Sequence, residues 1–239
     1  MCFSATASFV AAGLTGVIGV AALARAPTVR HLPFVAIPLV FGLQQLLEGL
    51  IWLRLDSAGA PGALPSAYAF LAEALWPLLI PTSVLLIEPG RIRRLAMIGL
   101  AAIGGLFFIG FAGVALNGLY TAEIEGDCIR YSICFEWSSR FSLYPFSTPQ
   151  TVRISGLSWL VLPYALVTIG SLLIASRRHI RWFGYASGVG LAVAVIIQRS
   201  ALISVWCFFA AIAAILIVVA IENERRQIKG SHSDEPTTE

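Results

Sequence analysis

Seven stretches of this chain, 6–24, 33–54, 66–87, 95–117, 154–176, 182–198 and 201–221, are apolar over close to the length that a bilayer-crossing helix requires. About 20 residues at ~1.5 Å each cover the ~30 Å hydrocarbon layer. In hydrocarbon a segment must satisfy its own backbone polar groups, and runs of this length do so as helices. Composition agrees, because 58% of the 239 residues are hydrophobic and only 12% are charged, about half the charge of a soluble domain. The expected fold is therefore all-α: a seven-transmembrane helical bundle over residues 1–222, then a polar tail over 223–239. A tail ending Ser-His-Ser-Asp-Glu-Pro-Thr-Thr-Glu has too little apolar surface to fold alone. The first run reads as a retained helix rather than a cleaved signal. No Lys or Arg precedes Arg25, and the small-x-small site Ala24-Arg25-Ala26 runs into Pro27.

Charge placement sets the expected orientation. Arg25 and Arg30, then Arg91, Arg93 and Arg94, then Arg177, Arg178 and Arg181, then Arg225, Arg226 and Lys229 fall in alternate connections. The short intervening connections carry only Arg54 and Arg199, and the long one from 118 to 153 is acid-leaning near its start, with Glu123, Glu125 and Asp127. The positive-inside rule then puts the N-terminus outside and the C-terminus in the cytoplasm. The same rule accounts for the net charge of +3 without a nucleic-acid partner; the expected partner is the lipid bilayer.

The outer segment, 118–153, should lie between spans four and five. Cys128 and Cys134 fall there with five residues between them. In an oxidising compartment such a pair points to a disulfide rather than a metal site, since no His accompanies it. Cys207 reads as a small packing residue. Tyr120, Tyr131, Phe135, Trp137, Phe141, Tyr144 and Phe146 make the segment aromatic-rich. Its stretch 129–137 suits a short hairpin, and the whole suits an interfacial anchor or a lid. Small residues mark close helix contacts: Gly13, Gly16 and Gly19, the Gly184-x-x-x-Gly188 pair, and Gly104, Gly105 and Gly110. Pro38, Pro77, Pro81 and Pro163 should bend their spans and free carbonyls.

Two spans carry an internal carboxylate, which is costly in hydrocarbon without a partner or a purpose. Gln44, Gln45, Glu48 and Trp52 recur at helical spacing in span two, and Glu73 and Trp76 share a face of span three. Glu48 lies six residues before Arg54 and Glu73 seven after Ser66, which places both roughly 9–10 Å below the outer boundary. Spans joined by a short connection are normally neighbours, so the two carboxylates are expected to meet. A facing pair shares a proton or holds a cation, and Arg199 is a candidate for that cation. The structural alternative has Glu48 bound to backbone freed by Pro77 and Gln45 acting as interhelical glue. Glu88, at the inner boundary before Pro89-Gly90, reads as solvated.

The opening Met1-Cys2-Phe3-Ser4-Ala5-Thr6-Ala7-Ser8-Phe9 puts a thiol and three hydroxyls at the outer mouth. Cys2 is a candidate nucleophile or metal ligand with Glu48 and Glu73, while the hydroxyls also suit helix capping. This opening, His31-Leu32-Pro33-Phe34 and Gln44-Gln45-Leu46-Leu47-Glu48-Gly49-Leu50-Ile51-Trp52 resemble a family of uncharacterised bacterial multi-pass membrane proteins. Those proteins begin with a similar MCFSATASF string and carry a similar Gln-Gln-x-x-Glu-Gly-x-x-Trp helix. The resemblance covers spans one to three best and implies location in a bacterial inner membrane.

Other families fit poorly. A retinal protein needs a Lys in its last span, and the single Lys is Lys229. Intramembrane zinc hydrolases of the ceramidase type, and haem proteins with two intramembrane His ligands, need His within spans. His31, His179 and His232 all fall in the connections or tail. No P-loop, Gly-x-Ser-x-Gly or His-Glu-x-x-His string occurs. The preferred expectation is an outward-facing polar pocket of Gln44, Gln45, Trp52, Glu48, Glu73, Trp76 and Arg199. Such a pocket binds a small polar or cationic ligand or a proton, as in a transporter or sensor component. The alternatives are a metal- or carboxylate-dependent enzyme acting on a lipid or lipid-linked substrate, and a structural or assembly subunit.

Overall fold

A computed structural model describes residues 4–56, 62–117, 120–123, 134–138, 151–152, 161–197, 206, 211, 213–219 and 221–222. Five described helices are long and apolar enough to cross a membrane: α1 (Ala5–Leu23), α2 (Val29–Leu55), α3 (Leu64–Ile87), α4 (Arg91–Leu116) and α6 (Arg178–Ile196). Between the last two lies a shorter apolar helix, α5 (Leu162–Leu173). The expected run at 154–176 thus appears as a shorter described helix. Most of the run at 201–221 lies outside the described residues. Its described part nevertheless packs on the bundle: Ala211, Ala214, Ile217 and Ile221 are buried in the main core.

Helix α1 starts where its sequence allows a cap, with the Ser4 hydroxyl accepting the Ala7 N–H at 3.2 Å. It then packs antiparallel on α2 through glycines on both helices. A Cβ at Gly19 would fall 2.5 Å from the Leu39 nitrogen, one at Gly42 3.0 Å from the Gly16 nitrogen, and one at Gly49 2.8 Å from the Phe9 ring. These contacts bring the two backbones together in the way small residues permit between helices in lipid. Gly13, Gly105 and Gly110 make no such contact, whereas Gly184 lies against Leu172 and Gly104 against the Pro77 backbone.

The core runs through Phe34, Ile37, Phe41, Trp76, Ile80, Met97, Leu172 and Phe183. Val10, Leu14 and Val17 on α1 and Leu106 and Ile109 on α4 point outward, as suits faces against lipid tails. The two intervals in π conformation, Phe70–Leu75 in α3 and Leu166–Gly170 in α5, are the irregular stretches of the bundle. One has a clear cause. In a π register the Ala72 carbonyl would be served by the amide of Pro77, which has no N–H. The Tyr164 hydroxyl donates to that carbonyl instead, at 2.5 Å. The Ala72 carbonyl, left without an amide by Pro77, is therefore held from α5 by Tyr164.

Backbone pairing joins β1 (Tyr120–Glu123), β2 (Cys134–Ser138) and β3 (Thr151–Val152) into an antiparallel ladder. Tyr120 lies opposite Trp137 and Glu123 opposite Cys134, and Trp137 also pairs with Val152. Of the hairpin expected within 129–137, residues 129–133 lie outside the described ones. Cys134–Ser138 is the middle strand, and its partners come from the exit of α4 and from 151–152. Cys128 lies outside the described residues, and the disulfide with it. Cys2, Arg199 and Cys207 also lie outside them.

Candidate functional site

Every described member of the expected polar stripe is buried. Gln44, Gln45 and Glu48 are fully inaccessible, and Trp52, Glu73 and Trp76 nearly so. Two contacts fix how α2 and α3 align. The Trp76 indole N–H donates to the Gln44 carbonyl oxygen at 2.8 Å while its ring stacks on Phe41 at 4.1 Å. Two turns along α2, Ile51 and Trp52 share one buried cluster with Tyr68 and Ala72 of α3. With Gln44 level with Trp76 and Trp52 level with Tyr68, an antiparallel pair places Glu48 level with Ala72, one residue from Glu73. The matched depth expected from the sequence is thus the level at which the α3 backbone turns to π geometry.

The hydrogen bonds orient this stripe. Indole N–H is only a donor, so it fixes the Gln44 amide with its oxygen toward Trp76 and its nitrogen away. Among the described residues that nitrogen has no hydrogen-bond partner, and neither do the Trp52 indole nitrogen, the Ser8 hydroxyl and the Ser66 hydroxyl. Gln45 donates to a Glu48 carboxylate oxygen at 3.2 Å. Glu73 also makes a polar contact. Gln44, Glu48 and Trp52 are spaced one turn apart, so two unpaired donors flank a carboxylate along one stripe. Beside the stripe, Phe41, Trp76, Ile80, Ile169, Leu172 and Phe183 line a cavity of about 40 Å³ whose wall is almost wholly apolar.

Ser8, Ser66, Tyr68 and Tyr164 join this region without having been singled out for it. For Ser8 the signal was the run of hydroxyls at the start of α1. Tyr164 gave none, since its partner at Ala72 lies 92 residues away. Among the described residues no group of three or more His, Cys, Asp or Glu could hold a metal ion.

The opposite end of the bundle holds a different buried carboxylate. Glu88 is 5% exposed, which corrects its reading as a solvated boundary residue. It accepts the Ser176 N–H at 2.8 Å, the Gly90 N–H at 3.1 Å and the Ser176 hydroxyl. Arg93 donates to that same hydroxyl at 2.5 Å. Burial pushes the Glu88 carboxyl up, but the bonds from Ser176 and Gly90 and the charge of Arg93 outweigh it. The net result lies below the ordinary value of 4.5. Arg181 closes the same corner by donating to the Ala175 and Ser176 carbonyls, each at 3.1 Å. The connections before α2, before α4 and before α6 therefore meet at one end, and with them the described arginine clusters.

The model of a family of unknown function, DUF6629, matches residues 1–232. The chain belongs to that family. No curated protein matches the chain, and no solved structure does. In this DUF6629 member both buried carboxylate regions fall inside the matched part, so a functional reading must come from their chemistry.

Proposed function

We propose that this protein is a seven-span inner-membrane protein whose buried Glu48–Glu73 level binds a proton or a small polar or cationic ligand, as a transporter or sensor component. In this reading the N-terminus and the 118–153 segment face outward, a Cys128–Cys134 disulfide pins that segment, and the 223–239 tail is cytoplasmic. Arg199, near the outer end of its span, is a further candidate for the site. The observation that carries the reading is the stripe of Gln44, Glu48 and Trp52: the buried carboxylate is the group for a proton or cation, and the two buried donors beside it, without partners among the described residues, suit an acceptor on a water or polar ligand. Unpaired buried donors cost about 1–3 kcal/mol each, and such a cost is commonly kept where a water or ligand repays it. A π interval in the helix that carries Glu73 agrees, since such bulges concentrate at functional sites.

The test is proton exchange. Purified protein in weakly buffered detergent receives sodium, potassium or methylammonium chloride while a pH dye follows the bulk, and infrared spectra follow the carboxyl C=O stretch. The expected result is proton release by one of these cations, or a carboxyl that stays protonated at neutral pH, lost in both Glu48→Gln and Glu73→Gln. Wild-type protein that shows neither signal would leave the two glutamates as structural polar residues.

A further inference from the structure

At the end of the bundle opposite the Glu48–Glu73 level, three separate stretches of chain line an open recess of about 580 Å³. Its polar lining is Thr28, Arg30, His31, Glu88, Arg94 and Arg177. Each guanidinium comes from a different part of the chain: Arg30 from the first turn of α2, Arg94 from the first turn of α4 and Arg177 from the turn before α6. Three arginines against one glutamate leave the lining with a net positive charge. The glutamate, moreover, faces backbone: its oxygens accept the Ser176 and Gly90 amides and the Ser176 hydroxyl. Those bonds tie the wall bearing Arg94 to the wall bearing Arg177, so the arginines are held at fixed separation by the carboxylate behind them. His31 is buried at the base, with its Nδ1 at 2.8 Å from the Thr28 hydroxyl, which orients the ring.

Val29 and Leu86, at the same rim, are exposed apolar residues. A charged cup with an apolar lip has the chemistry of an amphiphile's head: an anion in the cup, hydrocarbon against the lip. Guanidinium groups recognise phosphoryl oxygens through paired, charge-assisted hydrogen bonds. A volume of 580 Å³ also lies within the ~300–1,000 Å³ typical of ligand sites. Basic clefts between helices at a membrane surface take anionic headgroups on the same grounds.

We propose that this cavity is a binding site for a phosphoryl group, held by Arg30, Arg94 and Arg177. The site is separate from the Glu48–Glu73 level and does not depend on what that level binds. Its phosphoryl group comes either from an anionic phospholipid head or from a soluble phosphate.

Full-length protein is placed in nanodiscs of mixed phosphatidylglycerol and phosphatidylcholine, released, and weighed by native mass spectrometry. In parallel, inorganic phosphate is titrated against the detergent-purified protein by calorimetry. Arg30→Gln with Arg94→Gln is compared with a control at Arg91→Gln with Arg178→Gln, two exposed arginines outside the cavity lining. Arg30 and Arg94 are themselves exposed, so the cavity variant should fold. Its melting temperature is checked against the control.

Retained phosphatidylglycerol falling about tenfold or more in the cavity variant only, the loss that ~1.4 kcal/mol of charge-assisted bonding carries, supports a lipid head. Phosphate binding lost in the cavity variant only supports a soluble phosphate. Equal losses in both variants mean general attraction to a basic surface, and they overturn the site. Binding unchanged in the cavity variant overturns it as well.

Discussion

Glu88 and Glu48 are both buried carboxylates, and they are surrounded in opposite ways. Glu88 is enclosed by donors that the backbone supplies, the Ser176 and Gly90 amides, with one hydroxyl and one guanidinium behind them. Glu48 is met by the Gln45 side chain, and the donors one turn away on either side, Gln44 Nε2 and Trp52 Nε1, have no partner among the described residues. A carboxylate satisfied by amides is part of the frame, because those amides cannot leave. A carboxylate among unspent side-chain donors stands in a place prepared for something else. Burial alone does not separate the two cases. The partners do.

Measurements on substituted protein can break or sharpen this contrast. The largest effect should come from Glu88→Ala, which strips two amides and a hydroxyl of their acceptor and removes the link between the connections before α4 and α6. Unfolding in detergent should show a loss of about 3 kcal/mol. A variant as stable as wild type would mean that the clasp is not part of the frame.

The next effect is in acid. Because the folded Glu88 carboxyl lies below its ordinary value of 4.5, it stabilises the fold above that pH, and the contribution is lost as pH falls through the folded value. A melting curve of wild type against pH should therefore bend downward in that range, and Glu88→Gln should lack the bend while being less stable at neutral pH. Smaller again is Tyr164→Phe, which leaves the Ala72 carbonyl without its donor; about 1 kcal/mol is expected from the same unfolding experiment.

Trp76→Phe keeps an aromatic ring on Phe41 and gives up the bond to Gln44, so about 0.6 kcal/mol is expected, the usual worth of such a bond between membrane helices. The smallest effect on stability belongs to Glu48→Gln, which swaps a carboxylate for an amide that still pairs with Gln45. Its melting temperature should equal or exceed that of wild type while the proton signal disappears. If it unfolds as readily as Glu88→Ala, the two carboxylates are of one kind and the contrast fails.

Much of the helical frame was legible because hydrocarbon imposes a length and a composition. The runs read at 6–24, 66–87 and 182–198 lie within a few residues of Ala5–Leu23, Leu64–Ile87 and Arg178–Ile196. Helix α4 starts four residues earlier than the apolar run at 95–117, at Arg91, since arginines in a first turn can reach water and need not end a helix. The burial of the stripe on α2 was legible too, because helical period puts Gln45, Glu48 and Trp52 on one side.

What stayed hidden depends on partners distant in sequence. Ser176 reaches Glu88 from 88 residues away, and no local pattern around Pro89-Gly90 announces it. The π interval at Phe70–Leu75 needs both Pro77 and Tyr164, of which the sequence offered only the proline as a sign. The β ladder shows the same limit: its middle strand has the expected alternation, but the choice of neighbours belongs to the chain on either side.

The glycine contacts between α1 and α2 bear on how the chain is made. Gly19, Gly42 and Gly49 let these two helices close on each other along much of their length, using nothing synthesised after Asp56. That hairpin does not cover the other side of α2, where Gln44 and Glu48 wait for Trp76 and the rest of α3. A nascent chain halted after its second helix would present this side of α2, with Gln45 and Glu48, to lipid before α3 covers it. The insertion machinery should therefore hold the first hairpin until the third helix emerges, and release the three into the bilayer as one unit.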